Sequence, residues 1–86
     1  MVVIYLEVWK VGKTVKYGIL GCGMMGREHL RNLALIDGAE VVAIAEPDED
    51  MQARALEIIP DARVFNDMRA LLDFPGLDAL VVATPN

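Results

Sequence analysis

One cysteine, one histidine and no lysine beyond position 16 leave this 86-residue chain little to offer most kinds of chemistry. The lone Cys22 excludes an internal disulfide and a cysteine-based metal cluster. It also fits a reducing compartment, so the cytoplasm is the expected location. No apolar run approaches the roughly 18 residues that span a bilayer. The apolar start, Met1 to Leu6, lacks a basic stretch and a small-residue cleavage site, so no secretion signal is read there. A net charge of −5 argues against nucleic acids and anionic membranes as partners. There is no Ser-His-Asp set, no G-K-[S/T] phosphate loop, no metal cluster, no repeat and no low-complexity segment. The length allows one small domain. An apolar fraction of 55% is enough for its core and leaves apolar surface for another domain or subunit.

What is present centres on Val15 to Gly26. Six residues rich in β-formers, Val15 to Leu20, run into glycines at G-x-G-x-x-G spacing, Gly21, Gly23 and Gly26, and a helical pattern opens at once behind them. In a dinucleotide fold the first glycine permits the tight turn. The second lets the backbone approach a pyrophosphate, and the third lets helix and strand pack closely. The helix N-terminus then holds the phosphates. Glu46 ends the next strand, 20 positions beyond Gly26. A carboxylate there accepts hydrogen bonds from the adenosine ribose hydroxyls and repels a 2′-phosphate, so NAD is expected over NADP.

Along the chain, Val2 to Val11 is β-rich and partly alternating and reads as an extra edge strand or an accident of the start site, with Trp9 a packing residue in preference to a ligand-stacking one and Gly12-Lys13-Thr14 a break. After the first strand the pattern predicts a helix over Met25 to Ile36, with Leu30, Leu33 and Ala34 aligned with Gly26 and Gly38 as the left-handed residue past its end. Glu40 to Ala45 reads as a buried parallel strand. Asp48 is a plausible N-cap for a helix to about Ile59, with Met51, Ala55 and Ile58 or Ile59 inward. Ala62 to Phe65 reads as a short strand. Asn66 or Asp67 caps a short helix through Asp73, with Met68, Leu71 and Leu72 inward, and Asp78 to Ala83 is a last buried strand. The alternation predicts an α/β, Rossmann-like parallel sheet with strand order 3-2-1-4, counted from Val15 and truncated after the fourth strand. Residues 1–14 are then an extension and 15–86 a partial dinucleotide-binding domain. The bare edge of the fourth strand invites cover by Val2 to Trp9 as an antiparallel strand, or by a second copy of the chain.

Several side chains admit two readings. Arg27 either touches a phosphate or is simply solvated. His29 reads as a packed histidine in preference to a catalytic one. Cys22 either has a lowered thiol pKa near a helix N-terminus or is only a small side chain that fits the turn. The five methionines read as core filler.

The runs Tyr17-Gly-Ile-Leu-Gly-Cys-Gly-Met-Met-Gly-Arg-Glu-His29, Val41-Val-Ala-Ile-Ala-Glu-Pro-Asp48 and Asp78-Ala-Leu-Val-Val-Ala-Thr-Pro-Asn86 closely resemble the start of the glucose-fructose oxidoreductase / inositol dehydrogenase (Gfo/Idh/MocA) family. The resemblance covers about residues 15 to 86. It implies an NAD(P)-binding domain from enzymes that transfer a hydride between nicotinamide and a sugar or polyol. It places Gly21, Cys22, Gly23, Met24, Met25, Gly26 and Glu46 at the dinucleotide, with Thr84, Pro85 and Asn86 along it towards the nicotinamide. The family's Glu-Lys-Pro segment, which holds its catalytic lysine, and its substrate domain are not in this sequence. Many relatives carry Asp where this chain has Glu46, and the first 14 residues have no match.

The leading expectation is therefore the cofactor-binding part of a sugar or polyol dehydrogenase, with no catalytic residue of its own. The rival is a stand-alone nucleotide-binding or assembly module. A methyltransferase is disfavoured because Ile19-Leu20 occupies the place where those enzymes usually carry an acidic residue. The substrate is not legible.

Overall fold

Short runs of β-branched and small apolar residues alternate with amphipathic helices, and the runs become the strands of one sheet. The computed structural model describes residues 2–7 and 14–84. In order they form β1 (Val2–Glu7), β2 (Val15–Leu20), α1 (Met24–Ala34), β3 (Ala39–Ala45), α2 (Glu49–Ile58), β4 (Arg63–Phe65), α3 (Met68–Leu72) and β5 (Ala79–Thr84). The sheet runs β1-β5-β2-β3-β4. Strands β2 to β5 are mutually parallel, and counted from Val15 their order is the expected 3-2-1-4. Strand β1 pairs antiparallel with the outer edge of β5, from Val2↔Thr84 to Glu7↔Ala79, so the edge that the parallel strands leave open is covered within the chain.

Alternation along the strands divides the core in two. One face of the sheet carries Tyr17, Ile19, Ile44, Ala79 and Val81 against Leu30 and Leu33 of α1 and Ala55 of α2. The other carries Ala43, Ala45 and Leu80 against Leu71 of α3, closed over by Phe65, Phe74 and Leu77. Strands β2 and β3 slip register between Tyr17 and Gly18. A side chain at Gly18 would meet Leu77 and Leu71 at 3.0–3.2 Å, so this position is small because α3 and its following loop press on it. At the foot of the sheet Lys16 and Asp78 are tied twice, with the Asp78 N–H on Lys16 O (2.8 Å) and the Lys16 N–H on Asp78 Oδ2 (3.0 Å).

Both acidic caps form. Asp48 accepts from the N–H groups of Asp50 and Met51, and Asp67 accepts from Ala70. Helix α1 ends earlier than its apolar pattern predicts, at Ala34, with Leu35 as C-cap. Gly38 does take a left-handed φ of +86°. It does so in the turn just before β3, beyond the residue directly past the helix end. Ala34 is exposed, at the mouth of a cleft it shares with Ala39 and Val41 of β3 and Ile59 and Ala62 beyond α2. Met68 and Leu72 are half exposed, at 50% and 52%, since a five-residue helix points only one side chain, Leu71, at the sheet. Met24 and Met25 are also exposed, which corrects the reading of the methionines as core filler. The expected roles of Val8 to Lys13, including the packing of Trp9, lie outside the described residues.

Leu30 is fully buried between α1 and the sheet, whereas Leu35, at the end of the same helix, is 84% exposed. Leu30→Ala is therefore expected to cost about 2–5 kcal/mol and Leu35→Ala no more than about 0.5 kcal/mol, read from the shift of the urea-unfolding midpoint.

Candidate functional site

The carboxyl ends of the four parallel strands face one edge of the sheet and carry the Gly21–Gly23 turn, Glu46, Asn66 and Thr84. In open α/β sheets this is the edge at which ligands bind. Gly21 leaves β2 with φ +93° while its N–H donates to Ala45 O (2.9 Å), a backbone conformation that side chains rarely adopt. Gly26 is needed for a different reason. A Cβ there would lie 1.9 Å from Gly21 O, so α1 rests directly on the turn that precedes it. Gly23 meets neither constraint. Its φ of −69° and ψ of −167° are ordinary extended values, and a Cβ would find nothing within 4 Å. Nothing in the described chain calls for glycine at this position, and the space beside it is open.

Gly23 is also the N-cap of α1. Helices α2 and α3 have aspartate side chains on their first N–H groups, but among the described residues no side chain caps α1, and its first turn holds no acidic residue. The head of α1 thus presents backbone donors and the positive end of the helix dipole to the strand-end crevice.

Glu46 stands beside it, only 8% exposed. Its Oε1 accepts from the Cys22 N–H (2.8 Å) and its Oε2 from the Asp48 N–H (3.0 Å). One carboxylate therefore ties the glycine turn to the start of α2, and each oxygen keeps acceptor capacity for a further hydrogen bond. The Cys22 thiol is fully buried beneath the turn. Burial, then the negative charge of Glu46, pushes its pKa up to about 12, with Arg27 acting in the opposite direction. The low-pKa alternative for Cys22 is overturned, and the small side chain that fits the turn remains.

Arg27 is not the simply solvated side chain that was one of its two readings. It is half-buried, and its Nη1 donates to Cys22 O (3.1 Å) and contacts Met51 Sδ (3.0 Å). His29 is half-buried on α1. Lys16 lies at the start of β2, the opposite end of the sheet from the crevice. Met24 and Met25 stand at the head of α1, at its exposed lip. The backbone of Thr84 closes β5 at the crevice edge, while the expectations for Pro85 and Asn86 lie outside the described residues. Sequence reasoning passed over Gln52, whose Nε2 donates to Glu46 O and to Asn66 Oδ1 (3.0 Å) and so joins the ends of β3 and β4. Its place one turn after the Asp48 cap was the available signal.

Comparison with known proteins places the fold and the turn together. Residues 15–86 match the GFO_IDH_MocA model, described as an oxidoreductase family with an NAD-binding Rossmann fold. Inositol 2-dehydrogenase 2 of Saccharopolyspora erythraea is 40% identical over 72 residues, which are 83% of this chain and 21% of that protein. D-apiose dehydrogenase of Paraburkholderia graminis is 35% identical over 84% of this chain and 19% of its own length. Among solved structures, myo-inositol dehydrogenase from Lactobacillus casei, in complex with NAD(H) and myo-inositol, superposes with a TM-score of 0.77 at 37% identity, over 83% of this chain and 22% of that one. A 3-ketoreductase from Actinomadura kijaniata, in complex with TDP-benzene and NADP, does so with a TM-score of 0.74 at 28% identity, over 85% and 23%. The chain thus spans about a fifth of the length of the curated relatives it matches.

The second and third glycine positions separate by experiment. Gly26→Ala drives a methyl into Gly21 O and is expected to cost about 3 kcal/mol or more, whereas Gly23→Ala should stay within about 0.5 kcal/mol, both by urea unfolding monitored by circular dichroism.

Proposed function

The chain belongs to the Gfo/Idh/MocA oxidoreductase family through its NAD-binding Rossmann fold, and we propose that residues 15–86 are the cofactor-holding unit of a sugar or polyol dehydrogenase. One observation carries the reading: the uncapped head of α1 opens on free space at Gly23, next to a buried carboxylate at the end of the neighbouring strand. The three features suit the two chemically distinct parts of a dinucleotide. Backbone N–H groups from Gly23, Met24 and Met25 suit the pyrophosphate, and the remaining acceptor capacity of Glu46 suits the ribose hydroxyls. Gly21, Cys22 and Gly26 shape the turn without needing to touch the ligand, and Thr84, Pro85 and Asn86 extend the site along β5 towards the nicotinamide.

NAD is the cofactor of this reading, and the chemistry it supplies is hydride exchange at the nicotinamide ring. The relatives named for inositol and apiose support a polyol or sugar as the substrate of the longer proteins. Acid–base chemistry needs a group within about 2.6–3.2 Å of the reacting hydroxyl. The described residues bring no lysine to the crevice, and the one histidine lies on α1. We therefore assign these 86 residues binding without turnover, with residues 1–14 an extension of the unit. The soluble, reducing cytoplasm suits the buried thiol. Any association of copies through a sheet edge would use β1 or β4, the two outer strands.

Titration calorimetry with both cofactors tests the reading. NAD should bind at least about tenfold tighter than NADP, because a 2′-phosphate would approach Glu46 and the acidic run Asp48-Glu49-Asp50. Gly23→Ala should weaken NAD with little loss of stability, and no NADH should form from myo-inositol or glucose. Equal affinity for NADP would remove Glu46 from the ribose. Failure of the wild-type chain to bind either cofactor would refute the reading.

A further inference from the structure

We propose that Arg27 is a positioning residue for the dinucleotide, holding the pyrophosphate-binding turn in shape through the Cys22 carbonyl without touching the phosphates; this rests on the nucleotide-binding reading above. The main-chain polar groups of Cys22 are gripped on both sides by charged side chains from different elements. Its N–H donates to Glu46 Oε1 at 2.8 Å, from the end of β3. Its C=O accepts from Arg27 Nη1 at 3.1 Å, from the first turn of α1. The negative group is on the donor and the positive group on the acceptor, so both hydrogen bonds are charge-assisted.

This is where the turn most needs fixing. Cys22 is flanked by Gly21 and Gly23, the residue type with the widest backbone freedom, and the latter is bounded by open space. A residue with no steric walls on one side holds its conformation only through its neighbours. The same Arg27 nitrogen reaches Met51 Sδ at 3.0 Å, so the guanidinium joins the turn, α1 and α2. The location of Arg27 points the same way. A cation in the first turn of a helix opposes the dipole, so helix stability is no reason for it to be there. With its side chain folded back onto the Cys22 carbonyl, it leaves the backbone N–H groups at the head of α1 to an incoming anion.

The test uses the 86-residue chain and its Arg27→Met and Arg27→Lys variants, with NAD, ADP and adenosine as calorimetric probes. The rate at which a disulfide reagent labels Cys22, the only thiol, is measured alongside. Loss of one charge-assisted bond at the turn should weaken NAD and ADP about tenfold in Arg27→Met and speed Cys22 labelling by a similar factor. Adenosine, which lacks the pyrophosphate, should change by less than about twofold. Arg27→Lys keeps the charge but loses the planar fork and should fall between the two. Weaker NAD and ADP binding with unchanged labelling would mean direct phosphate contact and overturn the proposal. Equal weakening of all three probes would reduce Arg27 to a general stabilising role and also overturn it, as would no change at all. If the wild-type chain binds none of the probes, the nucleotide reading falls and the dinucleotide role falls with it. Labelling of Arg27→Met then decides whether Arg27 holds the turn.

Discussion

Helix α1 lies so close to the end of β2 that a single methyl at Gly26 would overlap the carbonyl of Gly21. Most of what surrounds the crevice depends on that approach. It brings the helix axis over the strand end, so that Leu30 and Leu33, farther along the same stripe, meet Ile19, Ile44 and Val81. It also sends the chain through the left-handed conformation at Gly21, which turns the head of α1 towards the carboxyl end of the sheet. A larger residue at Gly26 would separate helix from strand and weaken the core, whereas one at Gly21 would strain the left-handed turn itself.

Glu46 has a structural role besides the ribose-binding one proposed for it. A carboxylate at the end of the second parallel strand is expected to meet ribose hydroxyls. Here it is already a structural acceptor, taking one N–H from the glycine turn and one from the start of α2. The glycine turn and the start of α2 thereby share one carboxylate. A change in this carboxylate cannot act on cofactor choice without also acting on the turn, so effects at the two ends should be coupled and non-additive.

The strand order was legible because alternation of short apolar runs with helices permits few right-handed, uncrossed connections. The place of β1 was legible for a related reason, since a four-stranded order leaves the outer side of β5 open. Capping by Asp48 and Asp67 followed from local chemistry alone. What escaped the sequence depends on how far each surface extends. Periodicity placed Ala34, Met68 and Leu72 on an inward stripe, but it could not reveal that a cleft opens beside Ala34 or that α3 is too short to press more than Leu71 against the sheet. Gly21 and Gly26 stood out because backbone constraints leave their mark in residue type. The inward fold of Arg27 and the reach of Gln52 did not, since long polar side chains choose their partners only once the elements are in place.

The backbone of β5 has two rows of hydrogen-bonding groups, and both are committed, one to β2 and the other to β1. In a doubly wound sheet that runs 3-2-1-4-5-6, the slot beside the fourth strand belongs to a fifth, parallel strand. An antiparallel β1 and such a strand are mutually exclusive occupants, because each would need the same row of donors and acceptors. While β1 holds that row, the slot beside β5 is closed to any other strand.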